Sequence, residues 1–200
     1  MSDVWFAWLE NLKRYVAGRS AVRCDFSTIE PGHLRHTVEI DGSAADVWNA
    51  LVKPEQLNRW LTNDASDEAT VGAVWVDWGE GAGALRILDI TPETELSIGW
   101  EIDGTPTVVT WTLEESAGRT RLTLAHSGFA PDRHTDAEWA GWLDYLSRIK
   151  SLVEFGADWI PPVAEVAKEA ALYYAASILA RQDGLLGEAE YAWDHPRSRR

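Results

Sequence analysis

Between Gly118 and Leu152 the chain changes its hydrophobic period. In GRTRLTLAHSGF apolar and polar positions alternate, with Leu122, Leu124 and His126 on one side and Arg121, Thr123 and Ala125 on the other. A period of two predicts a strand with one buried face. After the loop PDRHTDAE, Trp139, Trp142, Leu143, Leu146, Ile149 and Leu152 recur at three and four residues, which is one stripe of an amphipathic helix. A half-buried strand therefore feeds a long closing helix, expected to be continuous over residues 137–155. The segments upstream read as a sheet for that helix to lie across.

The upstream pattern supplies the sheet. LRHTVEID alternates, with His36, Val38 and Ile40 on one face and Arg35, Thr37 and Glu39 on the other. Ser43 is a candidate N-cap for a helix whose apolar side is Val47, Trp48, Ala50 and Leu51. Pro54 ends it, and residues 55–61 form a second short helix. Four strands follow: GAVWVDW, LRILDIT, LSIGWEI and PTVVTWTLEE. Glycine-rich residues 79–83, the turn at 92–95 and the tight Asp103-Gly104 turn separate them. With the strand after Gly118 the order is β-αα-β5-α, an α+β fold with a six-stranded sheet, and short turns make neighbouring strands antiparallel.

Both ends carry additions, so residues 1–33, 34–156 and 157–200 form the expected units. Residues 3–17 predict a helix with a Trp5, Trp8, Leu9, Leu12 and Val16 stripe, stopped by Gly18. Trp5-x-x-Trp8-Leu9-Glu10-x-Leu12-x-Arg14 matches Trp139-x-x-Trp142-Leu143-Asp144-x-Leu146-x-Arg148, so this helix reads as a copy of the closing helix of a similar domain. Its apolar stripe is expected to be buried, and the terminal helices are expected to pack together into a homodimer interface. Residues 18–33 read as a linker, with an extended piece near 21–29. Beyond Pro161-Pro162, residues 163–181 predict a further helix, and the tail HPRSRR is basic and unpatterned.

Composition narrows the class. The net charge of −14 disfavours nucleic acid or an anionic membrane as partner. Cys24 is the only cysteine, which excludes an internal disulfide and suits a reducing, cytoplasmic compartment. MSDVWFAWLENLKRY has no uninterrupted apolar run and is not expected to be a signal peptide. No apolar run approaches the roughly 20 residues of a membrane span.

VEIDGSAADVWNALVKPEQLNRWL, the strand meander, RILDITPETELSIGW, GRTRLTLAHSGF and WxxWLxxL, in this order, resemble the SRPBCC (START-like, helix-grip) superfamily. Within it they are most similar to the branch related to the C-terminal domain of the heat-shock protein 90 ATPase activator. The likeness covers about residues 34–156. It implies a curved antiparallel sheet wrapped around the closing helix, with an apolar cavity between them. On that implication the inward residues line a ligand pocket: His36, Val38, Trp60, Trp78, Ile87, Ile98, Trp100, Trp111, Leu124, His126, Trp139, Trp142 and Leu146. Inward Val74 or Trp75, Leu96, Val109 and Leu122 complete the walls. The plainer alternative is that these side chains fill the interior.

Candidate chemistry is sparse. His36 and His126 sit at inward positions of the first and last strands, which in a helix-grip order lie far apart along the sheet or meet across the helix. As a pair they would suit acid–base work; the simpler reading is two separately hydrogen-bonded core histidines. No carboxylate pair, Ser-His-Asp order or Cys-His partner supports nucleophilic catalysis, so no catalytic residue is named. His134 and Glu138 are four apart but lack a third metal ligand, and Asp132 and Asp136 suit capping and the helix dipole. Residues 79–83 join two strands and carry Glu80, which suits a hairpin rather than a phosphate cradle. Neither metal nor cofactor is expected. The leading expectation is a non-catalytic protein holding a small apolar or aromatic ligand. The alternatives, which rest on fold analogy, are a cyclase- or dehydratase-like enzyme and an interaction module of the chaperone-activator kind.

Overall fold

The computed structural model describes residues 3–23, 32–61, 69–77 and 84–161, all within a compact unit that ends at Pro161. The expectations for Cys24, residues 24–29, Trp78, residues 79–83, the helix at 163–181 and the basic tail lie outside these residues. The elements in order are α1 (Asp3–Val16), β1 (His33–Ile40), α2 (Ala44–Val52), α3 (Pro54–Trp60), β2 (Val74–Asp77), β3 (Ala84–Thr91), β4 (Glu95–Ile102), β5 (Thr105–Ser116), β6 (Arg119–Ser127) and α4 (Asp136–Phe155). A single 3-10 turn, Gly156–Asp158, follows α4.

Local chemistry sets these boundaries. Ser43 caps α2 by accepting from the Asp46 amide, and Asp46 reaches back to the Ser43 amide, a complete capping box. Pro54 stands at the start of α3, where a missing amide hydrogen costs nothing. At the β4–β5 corner Asp103 and Gly104 both have positive φ (50° and 77°), the backbone of a two-residue hairpin whose twist matches its strands. Ala117 and Gly118 (53° and 75°) repeat this at the β5–β6 corner. At the start of α4, Thr135 holds the N-cap position and Asp136 the first turn, so Asp132 is not a cap.

The strands form one antiparallel sheet in the order β1-β6-β5-β4-β3-β2. β2 to β6 make a meander. The α2–α3 segment carries the chain from β1 at one edge to β2 at the other. β1 thus pairs along its whole length with β6, from His33 opposite Ser127 to Ile40 opposite Thr120. This corrects the placement expected for the two histidines: their strands are immediate neighbours, because the only free edge near the end of the meander is that of β6.

α4 lies across the inner face, which makes this a helix-grip α+β fold, and it is buried on two sides. Trp139, Trp142, Leu143, Leu146, Ile149 and Leu152 face the core. Asp144, Ser147, Arg148 and Ser151 are equally buried, on a polar side. Arg148 pairs with Asp144 and donates to the Trp60 carbonyl at 3.1 Å. Arg59 donates to the carbonyls of Gly156, Ala157 and Trp159 at 2.8–3.0 Å, closing the negative end of α4 with a cation.

That polar side receives α1, and the N-terminal stripe is left uncovered by the described part of its own chain. Ala7, Glu10 and Arg14 are buried, whereas Trp5, Trp8 and Leu12 are 59%, 70% and 57% exposed. Arg14 pairs with Glu154 and donates to Ser151 Oγ at 2.9 Å and to the Ser20 carbonyl at 2.7 Å. Glu10 accepts from the Trp159 indole at 3.0 Å, and Asn11 exchanges two hydrogen bonds with the Val22 backbone. Glu154 also accepts from Lys150 and from the Asp41 amide. The physical reason is that a buried charge requires a charged or hydrogen-bonding partner, and the outer side of α4 offers Ser151 and Glu154 to Arg14. The twin helices therefore meet on their polar sides, through Arg14 of α1 with Ser151 and Glu154 of α4.

Candidate functional site

Alternation along β3 to β6 turns Ile87, Leu96, Ile98, Val109, Trp111, Leu122, Leu124 and His126 inward, and each is buried. On this floor stands a continuous aromatic run. Trp60 lies 6.1 Å from Trp75 and 5.7 Å from Tyr145. Trp75 lies 6.2 Å from Trp111, which meets Trp142 edge-on at 5.7 Å. Trp142 touches Tyr145, Trp100 and His126, and His126 is stacked on Trp100 at 5.6 Å with Phe129 at 4.2 Å. Edge-on and offset contacts at these distances are the favoured geometries for aromatic pairs. The five indoles of the run come from five different elements, so the sheet, α3 and α4 all meet there.

The polar groups of the interior have definite roles. The Trp142 indole donates to His126 Nδ1 at 3.0 Å, which leaves the His126 proton on Nε2. Nε2 then donates to Thr107 Oγ1 at 2.9 Å, and Thr107 donates to the Trp100 carbonyl at 2.9 Å. Burial, reinforced by the Arg133 charge, pushes His126 down to about 3. His36 donates from Nε2 to the Trp139 carbonyl at 3.1 Å, with its ring 5.0 Å from that of Trp139. Burial lowers its pKa, partly offset by that carbonyl. Although His36 lies opposite Leu124 and His126 opposite Leu34 on adjacent strands, each histidine is committed to its own partner and held neutral. This chain of bonds orients side chains and offers no proton near neutral pH.

The Trp60, Trp75 and Trp142 indoles of the run donate to the Ala50 and Leu51 carbonyls and to His126, and the Trp111 indole differs from them. The Trp111 indole nitrogen is fully buried and has no hydrogen-bond partner among the described residues. A buried donor left unmatched costs about 1–3 kcal/mol, and this one sits between Trp75 and Trp142.

Of the residues expected to line the interior, His36, Val38, Trp60, Ile87, Ile98, Trp111, Leu124, His126, Trp139, Trp142 and Leu146 are buried, and Trp100 is half-buried. Trp78 lies outside the described residues. Trp75 and Val76 are both buried, because a bulge between Val74 and Val76 breaks the alternation of β2. The sequence reading missed Thr107, Phe129 and Tyr145. Thr107 was accessible from register alone, since the Asp103-Gly104 turn sets it opposite Trp100. Tyr145 falls beside the helical stripe and carried no such signal. Glu138 is paired with Arg133 at 2.6 Å, and among the described residues no three His, Cys, Asp or Glu side chains gather as metal ligands.

Comparison with known proteins adds three findings. The family model described as Activator of Hsp90 ATPase homolog 1-like protein matches residues 41–154. No curated protein matches the chain. Among solved structures, DynU16, a protein of the dynemicin biosynthetic locus, is 27% identical with a TM-score of 0.55. The match covers 64% of this chain and 49% of that one, so this chain spans about half the length of DynU16. The Aha1 dimer from Colwellia psychrerythraea is 22% identical with a TM-score of 0.54, covering 62% of this chain and 98% of that one. CalU16 from Micromonospora echinospora is 23% identical with a TM-score of 0.52, covering 74% and 91%. At these identities the last two speak for the fold alone.

Proposed function

The chain belongs to the family of Activator of Hsp90 ATPase homolog 1-like proteins, and from that premise we propose that it is a non-catalytic binding protein holding a small apolar or aromatic ligand between sheet and α4. The observation that carries this reading is the unmatched Trp111 indole N–H, buried in an aromatic interior. Apolar walls with a few convergent polar groups make up the usual ligand site, and a ligand that brings a carbonyl, ether or hydroxyl oxygen to Trp111 would satisfy that donor. The resemblance to DynU16, from a biosynthetic locus, fits a small-molecule ligand. Against an enzyme of the cyclase or dehydratase kind stands the state of His126, neutral and bonded at both nitrogens. General acid–base work asks for a group whose pKa lies near the working pH.

Native mass spectrometry of the freshly purified full chain tests the proposal. The expected result is a small-molecule adduct whose affinity falls about 5-fold or more in Trp111→Phe, which deletes the donor and keeps an aromatic ring. A bare chain mass, or an adduct indifferent to Trp111→Phe, overturns it. The proposal includes a cytoplasmic location, on the strength of the single cysteine; no described helix is long and apolar enough to cross a membrane. It also includes a protein partner, a second copy of this chain, as in the Aha1 dimer to which the fold is similar.

A further inference from the structure

α1 is held to α4 by its polar side, and this leaves the opposite side outward. Eight large apolar side chains are exposed among the described residues, and five of them are Trp5, Trp8, Leu12, Tyr15 and Val16 of α1. A sixth, Ile160, lies beside α1, its carbonyl accepting from Lys13 at 2.8 Å. A concentrated apolar patch of this kind marks an interaction site, whereas scattered single residues do not. The patch is presented by a helix whose inner side is tied down through Glu10, Asn11 and Arg14, so little order is lost when it docks.

Two features of the stripe select its partner. Trp5, Trp8, Leu12 and Tyr15 are spaced three, four and three residues apart, the spacing of a seam between two helices. The spacing is also symmetric about position 10: an antiparallel copy sets Trp5 against Tyr15 and Trp8 against Leu12, twice each. A two-fold interface requires a surface that is complementary to itself in this way, and a ligand groove or an unrelated partner does not.

We propose that the outward face of α1 is the homodimer interface, two α1 helices packing antiparallel across a two-fold axis through Trp5, Trp8, Leu12 and Tyr15. This rests on the reading of a second copy as the protein partner and names the surface. The second helix of the expected interface, over residues 163–181, lies outside the described residues.

Sedimentation equilibrium on the full chain, with Trp8→Arg and Leu12→Arg, is the test. The expected result is a wild-type dimer whose dissociation constant rises at least about 10-fold in each variant, as for a central interface anchor. Circular dichroism and the melting temperature of the monomeric variants should match the wild type diluted to monomer, because both side chains point away from the fold. A wild-type dimer untouched by either variant overturns this surface and leaves the second-copy reading standing. A wild-type monomer at near-millimolar concentration overturns both. Shielding of the α1 tryptophans from a fluorescence quencher in such a monomer would mean that another part of the same chain covers the stripe.

Discussion

His126 shows how a single side chain is committed by its neighbours. It accepts from Trp142 and donates to Thr107, and burial holds it neutral down to about pH 3. In the unfolded chain the same ring takes up a proton near its ordinary pKa of about 6.5. Between these values the unfolded state binds more protons, so stability falls as pH is lowered from 6.5 towards 3. His36, lowered in the same direction, adds to the slope. Urea titrations between pH 7 and pH 4.5 should show a loss of at most about 1.4 kcal/mol per pH unit for each histidine, and His126→Asn should flatten it. An unchanged slope in that variant would mean that His126 is not held neutral. Trp142→Ala removes a core indole that touches four aromatic rings and should cost about 3–5 kcal/mol. Arg121→Ala, on the outward side of β6 with its guanidinium in water beside Glu39, should leave the unfolding midpoint unchanged.

Among the elements, α1 departs most from its pattern. Its hydrophobic periodicity is real, and it points outward. Its stability in place comes from the buried Arg14–Glu154 pair and the buried bond from Arg14 to Ser151. Arg14→Ala removes one of the two cations on Glu154 and the donor to Ser151 and the Ser20 carbonyl, so it should cost about 1–3 kcal/mol. Leu12→Ala should change the stability of the monomer by less than about 0.5 kcal/mol. Chemical denaturation of both variants, at concentrations below dimerisation, checks this. The opposite order would return the apolar stripe to the inside. The β5–β6 corner supplies a second element-level prediction. Ala117 holds a φ of 53°, which is costly for a residue with a Cβ. Ala117→Asn or Ala117→Gly should stabilise the hairpin by about 0.5–1 kcal/mol, read as a raised melting temperature.

At the scale of the whole molecule, the sheet order sets where the fold opens. β5 and β6 are interior strands under α4, whereas β2 is a four-residue edge strand with a bulge. Local opening free energies follow such differences in burial and pairing. Hydrogen exchange should therefore be slowest in β5 and β6 and fastest in β2, with β3 between. Protection of β2 equal to that of β6 would contradict an open-edged sheet. If a ligand enters between sheet and α4, its binding should add protection to Trp111 and Trp142 and their neighbours first.

The sequence alone determined the strands, the αα insertion, the closing helix and the inward parity of the core, because each rests on a period of two or 3.6 and on local turn and cap chemistry. Ser43 with Asp46, and Asp103 with Gly104, are signals of that kind. It also named most of the aromatic interior, since an inward position on a patterned strand is a local property. The tertiary structure decided what depends on which surfaces meet. Whether His36 and His126 are neighbours follows from strand order, which alternation does not encode. That Trp111 lacks an acceptor while the Trp142 indole has one depends on atoms brought together from β6 and α4. The direction of α1 was decided in the same way. Its own pattern asked for the apolar side to be buried, and the buried charges of α4 asked for the polar one. The groups that α1 must itself find partners for are Glu10 and Arg14, which meet Trp159, Ser151 and Glu154, and turning them inward leaves five apolar side chains outward.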